Sequence, residues 1–191
     1  MKKSSPRAKN LHSKTIVLIV SGSIAAYKIG DLVTLLREAG ARVICVMTES
    51  AKHFVTSLVL RALSGEKVYE SKDFFAAETP YAVVHTSLAE EADLVLAAPA
   101  SADFMARLSA GMADDLAACI LLATQKPVVL VPAMNDQMYH HPLTQENIRK
   151  LKKIGYQLID PVRGHLVCGK EALGHIADFE TILNEISKIL R

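Results

Sequence analysis

"KTIVLIVSG" spans residues 14–22 and "IAAYKIGDLVTLLREAG" spans 24–40; together they decide the fold. The first is a β-branched apolar run without polar alternation, the pattern of a strand buried on both faces. The second carries Leu32, Leu35 and Leu36 at helical spacing and stops at Gly40. The same pairing recurs down the chain. "RVICVMT" (42–48) precedes "FVTSLVLRALSG" (54–65), and "ADLVLAAPA" (92–100) precedes "SADFMARLSAGMADDLAACILLAT" (101–124), a helical stretch with a break near Gly111. "KPVVLVPAM" (126–134) and "GYQLIDP" (155–161) are each followed by a helix, "HPLTQENIRKLKKIG" and "DFETILNEISKIL". "EKVYE" (66–70) reads as a further short strand. Alternating buried strands and helices predict a Rossmann-like, three-layer α/β/α sandwich around a parallel sheet of about six strands, with right-handed crossovers.

Residues 14–191 read as a single domain, without repeats or a low-complexity linker. Residues 1–13 carry Lys2, Lys3, Arg7 and Lys9 and no acid, which predicts a basic disordered tail. The net charge of +2 is too small to argue for nucleic acid. No run approaches the ~18 apolar residues of a membrane span. "TIVLIVSG" is too short for a signal-peptide core, so a soluble, cytoplasmic protein is expected. Cysteines at 45, 119 and 168 show no CxxC spacing, which argues against a zinc site or a disulfide framework, and no metal is expected. Cys45 and Cys119 lie among apolar neighbours and read as inert core residues.

Ligands of such folds bind beyond the carboxyl ends of the strands. "SGSIAAYK" (21–28) follows the first strand and fits either an anion-binding turn at a helix start or an ordinary tight turn. Thr48 and Ser50 in "VMTESA", and Ser101 in "APASADF", offer hydroxyls that either cap helices or face a ligand. "PAMNDQMY" (132–139) puts Asn135 at a strand end inside a proline-bracketed loop. His85 opens a helix just before a strand. "GHLVCGKEALGH" (164–175) is a glycine-punctuated loop with Cys168 in its middle, the pattern of a mobile flap.

"SGSIAAYK", "HTSLAEEAD", "APASADF", "PAMNDQMY" and the "CG…G" flap occur here in one order, and in that order and spacing the chain resembles the flavin-containing cysteine decarboxylases over about residues 14–190. The resemblance implies an FMN cofactor held by Gly22, Ser23, Ile24, Thr48, Ser50, Ser101, Ala102, Asp103, Phe104 and Ala133. It implies three catalytic residues: His85 as base, Asn135 as the amide that holds the substrate carboxylate, and Cys168 as the acid that protonates the product. Met134, Met138, Gly169 and Gly174 complete the implied substrate contacts. The implied reaction oxidises the thiol carbon to a thioaldehyde on the flavin, so that the carboxylate β to C=S leaves as CO2 and the enethiol is reduced again.

Within the family, the resemblance points to decarboxylation of the phosphorylated thiol acid 4'-phosphopantothenoylcysteine, in coenzyme A biosynthesis. It implies a homotrimer or a dodecamer of trimers with FMN near a subunit boundary, and a separate phosphopantothenate-cysteine ligase, since the chain ends after its last helix. A peptidyl-cysteine decarboxylase and a non-catalytic FMN-binding regulatory subunit are the competing readings. The flap departs from the family pattern at Ala172, His175 and Ile176, which stand for a glycine and an Arg-Met pair. Asp103 and Phe104 stand where many members carry Asn-Thr.

Overall fold

The computed structural model describes residues 11–76, 83–165, 169 and 171–191. The strands β1 (Thr15–Val20), β2 (Arg42–Met47), β3 (Leu94–Ala100), β4 (Val128–Pro132) and β5 (Gln157–Leu158) form one parallel sheet in the order β2-β1-β3-β4-β5. Side chains alternate across it. Ile16, Leu18 and Val20 face one layer, with Leu32 and Leu36 of α1 (Ile29–Glu38), Leu60 of α2 (Ser57–Ser64), and Ile182 and Ile186 of α8 (Phe179–Ile189). Val17 and Ile19 face the other. There they meet Leu88 of α3 (Val84–Glu91), Met105 of α4 (Ala102–Ser109), Ile120 of α5 (Leu116–Ala123) and Leu151 of α7 (Pro142–Lys153). Short α6 (Asp136–His140) leads into α7. Both faces of the sheet are thus covered, as the unbroken apolar strands require.

Several expectations need correction in detail. "EKVYE" contributes a single parallel bridge, Val46 with Tyr69, so among the described residues the sheet has five strands. The chain leaves the sheet at once: Glu70 and, beyond the segment, Asp73 form a reciprocal capping box on a 3-10 turn over Ser71–Phe74. The 24–40 segment starts as a 3-10 turn, Ile24–Lys28, before α1 begins. The glycine-rich 164–175 stretch is framed by an antiparallel hairpin, β6 (Val162–His165) and β7 (Glu171–His175).

The folded body also begins earlier than expected. Residues 1–10 of the proposed basic tail lie outside the described residues, but Leu11 is 1% exposed and its N–H donates to the Ala39 carbonyl. A lone leucine in a basic stretch gives no periodicity to read, which is why the sequence placed it in the tail. Cys45 is buried, and burial pushes its thiol up to about 12. Cys119 is only half-buried, with its thiol donating to the Ala113 carbonyl at 3.3 Å, because the apolar α5 turns part of its surface outward. Among the described residues no helix is long and apolar enough to cross a membrane.

The carboxyl ends of β1, β3 and β4 are joined by buried serines. The Ser21 hydroxyl donates to the Pro99 carbonyl at 2.7 Å and accepts the Ser101 N–H at 2.8 Å. The Ser23 hydroxyl donates to the Ala133 carbonyl at 3.0 Å. Ser21→Ala would leave the Ser101 N–H without its acceptor, a loss of about 1–3 kcal/mol for a poorly solvated donor. The expected outcome is a lower urea midpoint at unchanged m-value, measured by equilibrium denaturation.

Candidate active site

The strand order reverses direction between β1 and β3, and open α/β sheets bind ligands at such a switch point. A cavity of about 410 Å³ opens there. Gly22, Ser23 and Ile24 wall it from the end of β1, Ser101, Ala102 and Asp103 from the end of β3, and Ala133, Met134 and Asn135 from the end of β4. Met138 of α6 and Gly174 of β7 also line it, so three separate sequence motifs and the hairpin converge on one space.

Each wall has a local cause. The Ser101 hydroxyl accepts the Phe104 N–H and so caps α4, which leaves the Ala102 and Asp103 N–H groups at the helix start, beside the cavity. The Asp103 carboxylate turns away: it is 77% exposed and reaches toward Arg107 at 4.0 Å. Asn135 caps α6 by accepting the Gln137 N–H at 2.9 Å on its amide oxygen, which fixes the side chain at the cavity wall. Below it, Tyr139 is 8% exposed and donates to Asp160 at 3.3 Å. Burial first, and the Asp160 charge second, push the Tyr139 hydroxyl up to about 12, so it remains a donor that anchors the loop.

The hairpin lies directly on this loop. The Met134 N–H donates to the Gly174 carbonyl at 3.1 Å. Gly174 has φ +133, and a Cβ there would meet the Met134 carbonyl oxygen at 2.2 Å. His175 then reaches across to Lys28, with its Nε2 at 2.7 Å from the ammonium, while its Nδ1 lies 2.9 Å from the Ile176 carbonyl.

Other expected site residues sit elsewhere. Thr48 and Ser50 do not line the cavity; their hydroxyls bond each other at 3.1 Å, and Thr48 caps the turn that starts at Glu49. They pack against Gly22, where a Cβ would meet the Ser50 hydroxyl, so this turn supports the first loop. The Phe104 side chain is 2% exposed and belongs to the core, leaving only its N–H in the cap. Gly169 is exposed and off the cavity wall, and Cys168 lies outside the described residues.

His85 is half-buried in the first turn of α3, with its ring edge-on to Phe74 at 5.5 Å, and is not on this cavity's wall. Helices of such a sandwich run against the strands, so the start of α3 lies at the carboxyl rim, though on the opposite face from α1. Tyr27, Lys28 and Phe54 line the cavity without having been singled out. Lys28 closes "SGSIAAYK", and a lysine after apolar residues was a signal that could have been used.

A family model described as Flavoprotein matches residues 4–191. The chain belongs to the flavoprotein family. Its cofactor is accordingly a flavin, and the cavity suits one: helix-start N–H groups for an anion and apolar walls from Ile24, Tyr27, Met134 and Met138. This flavoprotein is 43% identical to a probable phosphopantothenoylcysteine decarboxylase of Streptococcus mutans, over 93% of its own length and 99% of the relative's. It is 45% identical to the coenzyme A biosynthesis bifunctional protein CoaBC of Haemophilus influenzae, over 93% of its length and 44% of that protein. It thus spans less than half of the bifunctional relatives. Among solved structures, a Cys-to-Ser mutant of PPC decarboxylase complexed with pantothenoylaminoethenethiol superimposes with a TM-score of 0.82 at 31% identity, covering 91% of this chain and 96% of that one. The FMN-dependent cysteine decarboxylase SpaF gives 0.80 at 27% identity, over 94% and 97%.

Gly174→Ala forces either a strained φ or a retreat from the Met134 carbonyl, at about 1–3 kcal/mol. The expected outcome is faster limited proteolysis within residues 162–175 together with weaker flavin retention, followed by mass spectrometry of the fragments and by absorbance.

Proposed function

We propose that the chain catalyses the FMN-dependent decarboxylation of 4'-phosphopantothenoylcysteine to 4'-phosphopantetheine in coenzyme A biosynthesis. The observation that carries this reading is the joining of the 22–24, 101–103 and 133–135 loops with the β6–β7 hairpin around one cavity. A relative of nearly the same length bears the name of this activity, and a solved PPC decarboxylase superimposes over most of the chain.

A bound flavin supplies a reversible two-electron sink, which a cysteine carboxylate lacks and without which CO2 cannot leave. The protein does the rest. The Ala102 and Asp103 N–H groups receive the phosphate of the cofactor. Asn135 receives the substrate carboxylate through its NH2 without adding charge, so it orients the group while leaving it ready to depart as neutral CO2. His85 takes the thiol proton as the general base, a role to which an imidazole is suited. Cys168 returns a proton to the enethiol carbon, which suits a thiol whose ordinary pKa near ~8.5 keeps it protonated at neutral pH.

Because His85 does not line the cavity of its own chain, the reading requires it to reach the cavity of a neighbouring subunit. Exposed Ile24, Tyr27 and Met138 at the cavity mouth support such a trimeric boundary. The bifunctional relatives support a phosphopantothenate-cysteine ligase as the partner that forms the substrate.

The decisive experiment offers 4'-phosphopantothenoylcysteine and a cysteine-ended peptide to the purified yellow protein and follows CO2 and product mass. The expected outcome is turnover of the first. Turnover of the peptide alone assigns peptidyl-cysteine decarboxylation, and flavin binding without turnover assigns a regulatory subunit.

Cys168→Ser should lose CO2 once and then stall, with bound product two hydrogens short of 4'-phosphopantetheine by mass. The capture of pantothenoylaminoethenethiol, itself an enethiol, in a Cys-to-Ser PPC decarboxylase supports this expectation. His85→Asn mixed with Asn135→Asp, each inactive alone, should regain part of the activity after joint refolding if the subunits share the site. Failure of the mixture to recover, with both variants folded, would place His85 in a structural role.

A further inference from the structure

Lys28 is the only lysine or arginine on the cavity wall among the described residues. Its ammonium forms no ion pair with any of them. It rests 5.6 Å from the Tyr27 ring centroid and 2.7 Å from His175 Nε2. The chemistry of that last contact is fixed by the other ring nitrogen. Nδ1 faces the Ile176 carbonyl oxygen, which can only accept, so Nδ1 carries the proton. Nε2 is then the lone-pair nitrogen, and Lys28 donates to it. His175 is therefore neutral and spends no charge of its own; it holds the lysine in place. The hairpin that carries His175 is pinned in turn by the Gly174–Met134 backbone bond, so the cation is tied through it to the Asn135 loop on the same cavity wall. A held ammonium with two further N–H donors and no carboxylate partner is an anion subsite.

The identity of the anion follows from the reaction. An ammonium on the reacting carboxylate would stabilise the ground state more than the neutralising transition state and slow CO2 loss. The substrate's other anion, its terminal phosphate, takes no part in bond breaking, and binding it tightly carries no such penalty. The cofactor phosphate already has the α4 N–H groups.

We propose that Lys28, positioned by neutral His175, is the specificity-determining residue for the terminal phosphomonoester of the substrate. The cation comes from the last residue of the 3-10 turn that precedes α1, and the flap supplies an uncharged prop where the family pattern has arginine. The inference rests on the reading of the chain as a phosphopantothenoylcysteine decarboxylase.

The test compares kcat/KM for 4'-phosphopantothenoylcysteine and for its dephosphorylated form in the intact flavin-loaded protein. A charge-assisted contact to phosphate predicts a wild-type preference of about 10- to 100-fold. Lys28→Gln should collapse that ratio through a higher KM for the phosphorylated substrate. His175→Ala should lower the ratio, and His175→Gln, whose amide oxygen can stand where Nε2 stood, should restore most of it. The inference is overturned if Lys28→Gln lowers both substrates by one factor, or keeps the ratio. A loss of preference for FMN over riboflavin in Lys28→Gln would move the lysine to the cofactor phosphate and overturn it equally. A wild type that turns over only a cysteine-ended peptide removes the proposed function itself, and the inference with it. Lys28→Arg, which keeps the charge, separates lost charge from lost folding: a preserved ratio supports the assignment, and a ratio as low as that of Lys28→Gln overturns it.

Discussion

Everything at the site depends on the buried hydroxyl of Ser21. It sits at the end of β1, gives its proton to the Pro99 carbonyl and takes the Ser101 N–H. One small side chain thus fixes the spacing between the end of β1 and the start of α4, the two places that flank the switch in strand order. Ser23 does the same toward β4 by bonding the Ala133 carbonyl. Parallel strands diverge once their ladder bonds stop, and loops beyond them are ordinarily the least constrained part of such a sheet. Here two hydroxyls extend the ladder into the loops. The cavity is consequently bounded by backbone held to the sheet, which keeps N–H groups available without having to order them when a ligand arrives.

That arrangement changes what the serines and threonines of the motifs mean. Ser21, Ser23, Thr48 and Ser101 all direct their hydroxyls at the protein's own backbone. The groups left to meet an anion are the N–H groups beside them. Small residues are needed because the loops approach closely: at Gly22 any Cβ would enter the Ser50 side chain, and at Gly174 any Cβ would enter the Met134 carbonyl. The hairpin bearing Gly174 is therefore part of the cavity's frame, with one backbone bond to the Asn135 loop and one side-chain bond, from His175, to the turn that precedes α1.

The charges follow the same economy. Asp103 sends its carboxylate to Arg107 and solvent, and Asn135 places an uncharged amide at the cavity wall. Lys28 is left as the cavity's cation among the described residues, steadied by an imidazole instead of an acid. A lysine paired with a carboxylate would have its field largely cancelled; one propped by a neutral ring keeps it.

The sequence by itself determined the layers. Unbroken apolar runs such as "TIVLIV" can only be strands covered on both sides, and Leu32 with Leu36 could only face such a sheet, so the parallel α/β sandwich followed from periodicity. The motifs also gave the rim, because strand ends are legible where apolar runs stop at small residues. What the sequence did not determine was which rim residues meet. Thr48 and Ser50 look like Ser23 in the sequence, yet only the fold shows that Ser50 packs against Gly22 while Ser23 bonds the Ala133 carbonyl. Nothing local places His85 off the cavity wall, pairs Lys28 with His175 at a separation of 147 positions, or folds "EKVYE" away after one bridge. Those outcomes are set by long-range contacts between elements, and periodicity carries no information about them: it records which face of an element is buried, and only the tertiary structure records against what.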